Sequence, residues 1–298
     1  MRKDNNIQQW NGHNGAVYDV LFWPALRKWV SAGGDGLVAA WNDAGEGAAL
    51  LHHNEPFFSV GRWGNRLVAG TQSGEVFAMQ TNGEDTRRWK AHTQGTFAFT
   101  TSSSGALITG GGDGCGQMWS LAANMELIDE GPAWQVPLQD KIRCFVSNPL
   151  GQTLVGSSDG TARLWDQDVR SLSHPIARHE GGVYCGAWHP RKGLWITGGR
   201  DGHLRAHRSD GEEVLSLPAH EGAIYRMVIA RGALWTAGRD KCIKIWDLNT
   251  MQPTGRIDAA SGGHRRSVNA LAVRRMADNQ DLMLSGGDDR TLLLHGIP

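Results

Sequence analysis

An eleven-residue figure that occurs seven times predicts an all-β chain: a seven-bladed β-propeller of four-stranded antiparallel blades. Three observations carry that expectation. The segment Ser31–Trp41 reads as a strand, a Gly/Asp turn and a second strand ending in tryptophan. It returns as Ala69–Met79, Thr109–Trp119, Val155–Trp165, Thr197–His207, Thr236–Trp246 and Ser285–His295. From Asp35 to Asp289 the six intervals average about 42 residues, the length a four-stranded blade takes. No long helical periodicity interrupts the series.

Composition agrees. Forty glycines suit many tight turns, and thirteen tryptophans suit a sheet-rich interior. Thirty Lys and Arg balance thirty Asp and Glu, so no global field draws the chain to nucleic acid or an acidic membrane. Residues Met1 to Asn6 lack the apolar run of a signal peptide, and no stretch has the apolar length of a membrane span. Cys115, Cys144, Cys185 and Cys242 are scattered, without a C-x-x-C pair, and are expected to be reduced. A cytoplasmic protein is the expectation.

Taken in order, six of the seven units begin with a histidine: His13, His53, His92, His179, His220 and His264 lie 20 to 25 residues before the fifth place of their turn. That place is Asp35, Asp113, Asp159, Asp201, Asp240 or Asp289, and Ser73 in the second unit. After the histidine comes a polar step, then an alternating run such as Val17–Phe22, the pattern of a half-buried strand. The last unit stops straight after its third strand. Residues Asn5 to Gln9, before Trp10, resemble the fourth strand of other units, so the N-terminal segment is expected to complete the last blade. Residues 1–298 then form one domain with nothing left for a second.

The Gly-His entry, the Asp turn and the closing Trp165-Asp166 and Trp246-Asp247 resemble the WD-repeat (WD40) β-propeller family over essentially the whole chain. The resemblance implies a structural tetrad of His, Ser/Thr, Asp and Trp in each regular blade. The matching positions are His13, Ser31, Asp35 and Trp41; His92, Thr109, Asp113 and Trp119; and His220, Thr236, Asp240 and Trp246. Units five and seven keep three members, with His207 and His295 where Trp is expected. Unit four has Leu138 and Val155 in the His and Ser/Thr places, a paired loss that leaves fewer orphaned polar groups than a single one. Unit two, with Ala69, Ser73 and Met79, is expected to lack the tetrad and to be soft.

Other chemistries fit less well. The recurrent His and Asp are better read as one structural pair per blade than as metal ligands. The Gly110–Gly114 run lacks the short tandem period of calcium-binding glycine repeats. Gly34-x-Gly36-x-x-Ala39 precedes a strand, not the helix that a dinucleotide fingerprint needs. There is no Gly-x-Ser-x-Gly elbow, P-loop or H-E-x-x-H motif. No cofactor, metal or catalytic residue is expected.

One constellation stands apart from the scaffold. The fifth residue after each histidine should open the innermost strand and face the mouth of the central channel. Those residues are Tyr18, Phe58, Phe97, Arg143, Tyr184, Tyr225 and Asn269, and they include every tyrosine in the chain. Two places earlier the residues are mostly small (Ala16, Gly95, Gly182, Ala223), which should leave the rings accessible. The places just before the turn aspartates, Gly34, Gln72, Gly112, Ser158, Arg200, Arg239 and Asp288, should share that face. Arg143, Arg200 and Arg239 then form a basic arc beside the tyrosines. Aromatic and Arg side chains dominate binding hot spots, and the resemblance implies that partners bind on this face. The expected function is a non-catalytic scaffold or adaptor subunit of a multiprotein complex, holding an acidic protein or peptide segment. The alternatives are a nucleic-acid binder, disfavoured by neutral charge, and an enzyme with its site on the same face.

Overall fold

The computed structural model describes residues 7–81, 83, 85–122, 126–276 and 281–297. It is a seven-bladed β-propeller of antiparallel sheets, with one short 3-10 helix, Ala259–Ser261. In chain order the blades span 17–52, 57–90, 96–132, 142–178, 183–218, 224–257 and 268–296. Two compact units divide the chain: 1–57 with 220–298, and 58–219. The first holds blades 1, 6 and 7; the second holds blades 2 to 5.

Within each unit the core lies between neighbouring sheets. Blades 7 and 1 share Val17, Val20, Trp29, Trp41, Leu284 and Leu292, and blades 3 and 4 share Ile108, Met118, Ile142 and Val155. The approach is close because the second strand offers a glycine. A Cβ on Gly286 would stand 2.6 Å from Val17 Cγ1, and one on Gly110 would stand 2.6 Å from Ile142 Cγ2. Alanine at either place would force the sheets apart.

Two blades depart from four continuous strands. In blade 4 the third strand, Thr161–Asp166, pairs with two fragments, Ser171–Leu172 and Ala177–Arg178, in place of one outer strand. Blade 7 takes its outer strand from the N-terminal side: Ile7–Trp10 runs antiparallel to Leu292–Gly296, pairing Ile7 with His295 and Trp10 with Leu292. The strand includes Trp10, one residue beyond the expected segment, while Asn5 and Asn6 lie outside the described residues.

Polar side chains tie each regular blade together. His13 Nδ1 lies 3.0 Å from Asp35, its Nε2 lies 2.7 Å from Ser31 Oγ, and Trp41 Nε1 donates to that hydroxyl at 2.8 Å. The carboxylate only accepts, so Nδ1 carries the proton, the hydroxyl donates to Nε2, and the indole donates to the hydroxyl. Blade 3 repeats the arrangement through His92, Asp113, Thr109 and Trp119, and blade 6 through His220, Asp240, Thr236 and Trp246. Burial alone would raise the Asp240 carboxyl. The His220 hydrogen bond and the Glu221 N–H, among other contributions, outweigh it and hold the pKa at about 2.

The irregular blades solve the same accounting differently. In blade 7, His295 Nε2 lies 2.8 Å from Ser285 Oγ, taking the indole's role as donor to the hydroxyl that His264 accepts from. Its Nδ1 is then a bare, buried nitrogen without a partner among the described residues. Burial lowers the His295 pKa to about 3. In blade 5, His207 turns instead to Glu213, 3.3 Å away. Blade 4 has no entry histidine, and the Trp165 indole donates to the Ala133 carbonyl at 2.9 Å. Blade 2 draws polar ties from elsewhere: buried Arg66 pairs with Asp85 at 2.9 Å, and Trp63 donates to the Gly105 carbonyl.

Three outcomes are expected. Deleting residues through Trp10 exposes the edge of Leu292–Gly296 and lowers the melting temperature by several degrees, measured by circular dichroism. Asp240→Ala costs about 1–3 kcal/mol in urea unfolding, whereas Ser73→Ala costs less than about 0.5 kcal/mol. The third concerns pH. Unfolded His295 binds a proton near its ordinary value, but folded His295 does not until about pH 3. Stability from this group is therefore complete above the unfolded pKa and is lost as pH falls toward the folded one. His295→Trp, which restores an indole donor, should flatten the dependence of stability on pH in that window.

Candidate interaction face

Each of six blades has a β-bulge at the start of its first strand, and the bulged residue is the one the sequence singles out. Pairing with the second strand skips from Val17 to Asp19, Thr96 to Ala98, Ile142 to Cys144, Val183 to Cys185, Ile224 to Arg226 and Val268 to Ala270. The extra residues are Tyr18, Phe97, Arg143, Tyr184, Tyr225 and Asn269. A bulge re-aims the side chain of its unpaired residue. Here the preceding residues, from Val17 to Val268, are fully buried, while the bulged ones are half-buried. Phe58, in the matching place of blade 2, is half-buried too.

In the unit of residues 58–219 these side chains form a ladder. Phe58 and Phe97 stack with centroids 5.2 Å apart and planes 10° apart. The Arg143 guanidinium lies 5.0 Å from the Phe97 centroid and 5.0 Å from the Tyr184 centroid. Arg143 Nε also donates to Ser158 Oγ at 2.6 Å. Ser158 is the residue before the turn aspartate, so the two predicted sets of positions meet here. They meet again in blade 7 of the other unit, where Asn269 donates to Asp288 at 2.7 Å and to the Val17 carbonyl. The Tyr18 hydroxyl, in that unit, is pushed up by burial and by the nearby Asp288 charge, so it stays protonated.

Two expectations need correction. The small residues before the rings do not leave them free; they seat them. A Cβ on Gly95 would come 2.7 Å from Phe97, and one on Gly182 would come 2.7 Å from Tyr184. Each ring folds back over its glycine and presents one side. Arg143 is likewise not available to clasp an acidic group, because its guanidinium is held between two rings. Arg200 and Arg239 are exposed, and neither side chain has an ion pair or hydrogen bond among the described residues. Arg200 passes over Gly181, next to the seat of Tyr184: a Cβ on Gly181 would be 3.0 Å from Arg200 Cδ. In the other unit, Arg239 packs against Gly222, three residues before Tyr225.

Sequence reasoning missed one pair altogether. Arg226 and Asp19, each following a bulged tyrosine, form an ion pair within their unit, and the aspartate is buried. Opposite charges in matching places of two repeats are a visible signal. Among the described residues no three His, Cys, Asp or Glu side chains cluster as a metal site would require. All four cysteines are free thiols. No helix among the described residues is long and apolar enough to cross a membrane.

Comparison with known proteins bears on the whole chain. Residues 207 in number align at 28% identity with cilia- and flagella-associated protein 52 of Mus musculus, covering 68% of this chain and 32% of that protein. Protein tipD of Dictyostelium discoideum is 23% identical over 216 residues, 71% of this chain and 34% of its own length. A ribosome biogenesis protein, the WDR12 homolog of Chlamydomonas reinhardtii, is 31% identical over 154 residues, 47% of this chain and 26% of its own. The chain thus spans about a third of the length of the relatives it matches. The family model described as WD domain, G-beta repeat matches residues 4–42, 136–166, 170–207, 211–247 and 257–295. Blades 2 and 3 fall outside those matches although both have the fold. With more than half its length matched and every blade in place, the chain belongs to the WD-repeat family.

Proposed function

We propose that this chain is a non-catalytic interaction scaffold, acting as one propeller domain, which holds an extended acidic segment of a protein partner on the face of the bulged residues. The observation that carries this reading is the ladder from Phe58 to Tyr184. Four side chains from four blades are held in fixed register by stacking and by the Ser158 hydrogen bond. Rigid, one-sided rings offer contact area at low entropic cost. Exposed, unpaired Arg200, in the same unit, supplies the planar donors that recognise carboxylates or phosphates. Arg143 serves the site by fixing the rings.

Relatives named for cilia and flagella, and for ribosome biogenesis, suit a subunit of a larger assembly in a cytoplasmic or ciliary setting. Nucleic acid is the weaker reading, because thirty basic residues are balanced by thirty acidic ones.

A partner captured with the full chain as bait, then titrated against variants, tests the proposal. Arg200→Glu should weaken binding at least about tenfold, or about 1.4 kcal/mol, and leave the melting curve unchanged. Tyr184→Ala should weaken binding comparably and also cost roughly 1–2 kcal/mol of stability, since it uncovers Arg143. Parent-like affinity in both would move the functional surface to the blade edges or the opposite face.

A further inference from the structure

Blade 4 departs from the repeat in three ways, and all three converge on one groove. Its entry segment is Trp134-Gln135-Val136-Pro137-Leu138 in place of Gly-His, its outer strand is broken, and its turn aspartate has lost its histidine. Between the entry segment and the broken strand lies a cavity of about 560 Å³, lined by Trp134, Val136, Asp159, Arg163, Arg170 and Arg178 among others. It shares no lining residue with the aromatic ladder.

The groove has specific vacancies. In five other blades the turn aspartate accepts the main-chain N–H that follows the histidine, at 2.7 to 3.3 Å. Asp159 has no such donor. Its Oδ1 accepts from Thr161 N and Oγ1, and its Oδ2 has no hydrogen-bond partner among the described residues. Two buried donors on the lining, Trp134 Nε1 and Arg163 Nε, also lack acceptors. The guanidiniums are weakly compensated. Arg163 donates to the Ser173 carbonyl and Arg170 to the Glu130 and Pro132 carbonyls, with the Glu130 carboxylate 3.8 Å from Arg170. Exposed Arg178 has no side-chain partner among the described residues. Beside them Val136 is 75% exposed, a large apolar side chain left in water.

We infer that this groove is a second binding site, and that its ligand is an extended peptide segment of a protein partner with an apolar residue flanked by carboxylates. A main-chain N–H of the segment takes the place left empty at Asp159 Oδ2. The apolar side chain covers Val136, and the carboxylates meet Arg178 and Arg163. Three guanidiniums against one lining carboxylate give the groove the sign that such a segment complements. The neutral alternative, a purely apolar ligand, would leave Asp159 and the arginines desolvated and unpaired.

The test uses the labelled chain of residues 1–298 on immobilised short peptides. One series carries an apolar residue between glutamates, a second replaces the glutamates by lysines, and a third methylates the main-chain nitrogens around the apolar residue. Binding is expected for the first series and at least about tenfold weaker for the other two. Arg178→Glu, at an exposed position, should lose binding by a similar factor with unchanged melting. Arg191→Glu, at an exposed position outside both sites, should bind like the parent. The inference is overturned if no glutamate peptide binds, if lysine peptides bind equally, or if Arg178→Glu is silent. Equal loss in Arg200→Glu also overturns it, by assigning the peptides to the ladder face. A change in self-association with Arg178→Glu, in place of lost peptide binding, overturns it in favour of a contact between two copies.

Discussion

A buried turn carboxylate is the constraint on which the blades depend. An aspartate at the second hairpin of a blade is partly out of water, and burial by itself would raise its pKa. Ionised, it accepts from the turn behind it, from the histidine and from the N–H after the histidine. Those donors come from the connection into the blade and from the turn between its second and third strands. The histidine relays the link to a hydroxyl in the second strand, and the hydroxyl to an indole at the end of the third. One anion thereby fixes the entry, the turn and two strands. This is why the tetrad, and not the apolar pattern alone, defines the repeat.

The same entry sets the candidate interaction face. With the histidine pinned to the turn, the chain must start its first strand a few residues later, and an extra residue at that point is absorbed as a bulge. The bulged side chain cannot join the packing between sheets, which Val17, Ile142 and Ile224 fill. It turns to the end of the blade and finds a seat over a glycine or a residue before the next turn. Scaffold and candidate site are therefore one construction, produced once per blade.

The period, the turn aspartate and its histidine are legible in the sequence because each is local and each returns at the same spacing. So are the blades without a tetrad, since Leu138 and Val155 announce their loss directly. The bulges are not legible, because a bulge exists only in the register between two strands. The positions of Tyr18 and its equivalents could be read from the sequence, but not why they face outward. The fate of Arg143 was hidden for a similar reason: its neighbours Phe97 and Tyr184 come from the blades on either side, and no spacing rule joins them. His295 shows a different limit. It stands as a missing tryptophan in the repeat, yet its Nε2 meets the same hydroxyl as an indole N–H would. Donor chemistry, not residue identity, is what the position selects.

Repetition also explains why blade 4 is free to change. Five blades retain the His–Asp link, and neighbouring sheets share apolar cores that do not depend on it. With a folded domain stable by only about 5–15 kcal/mol, losing one member of a tetrad would be a large defect. Losing the histidine and the hydroxyl together is smaller, because Trp165 finds a carbonyl and Asp159 keeps its local turn bonds. What remains unsatisfied is one carboxylate oxygen on the groove and two buried N–H groups beneath its lining. Residual polar groups of that kind are costly when sealed and useful when a ligand completes them. A defect that sat in a closed core would select for its own repair. In blade 4 the turn carboxylate lines a groove beside a broken outer strand, where an incoming segment can supply its missing partner.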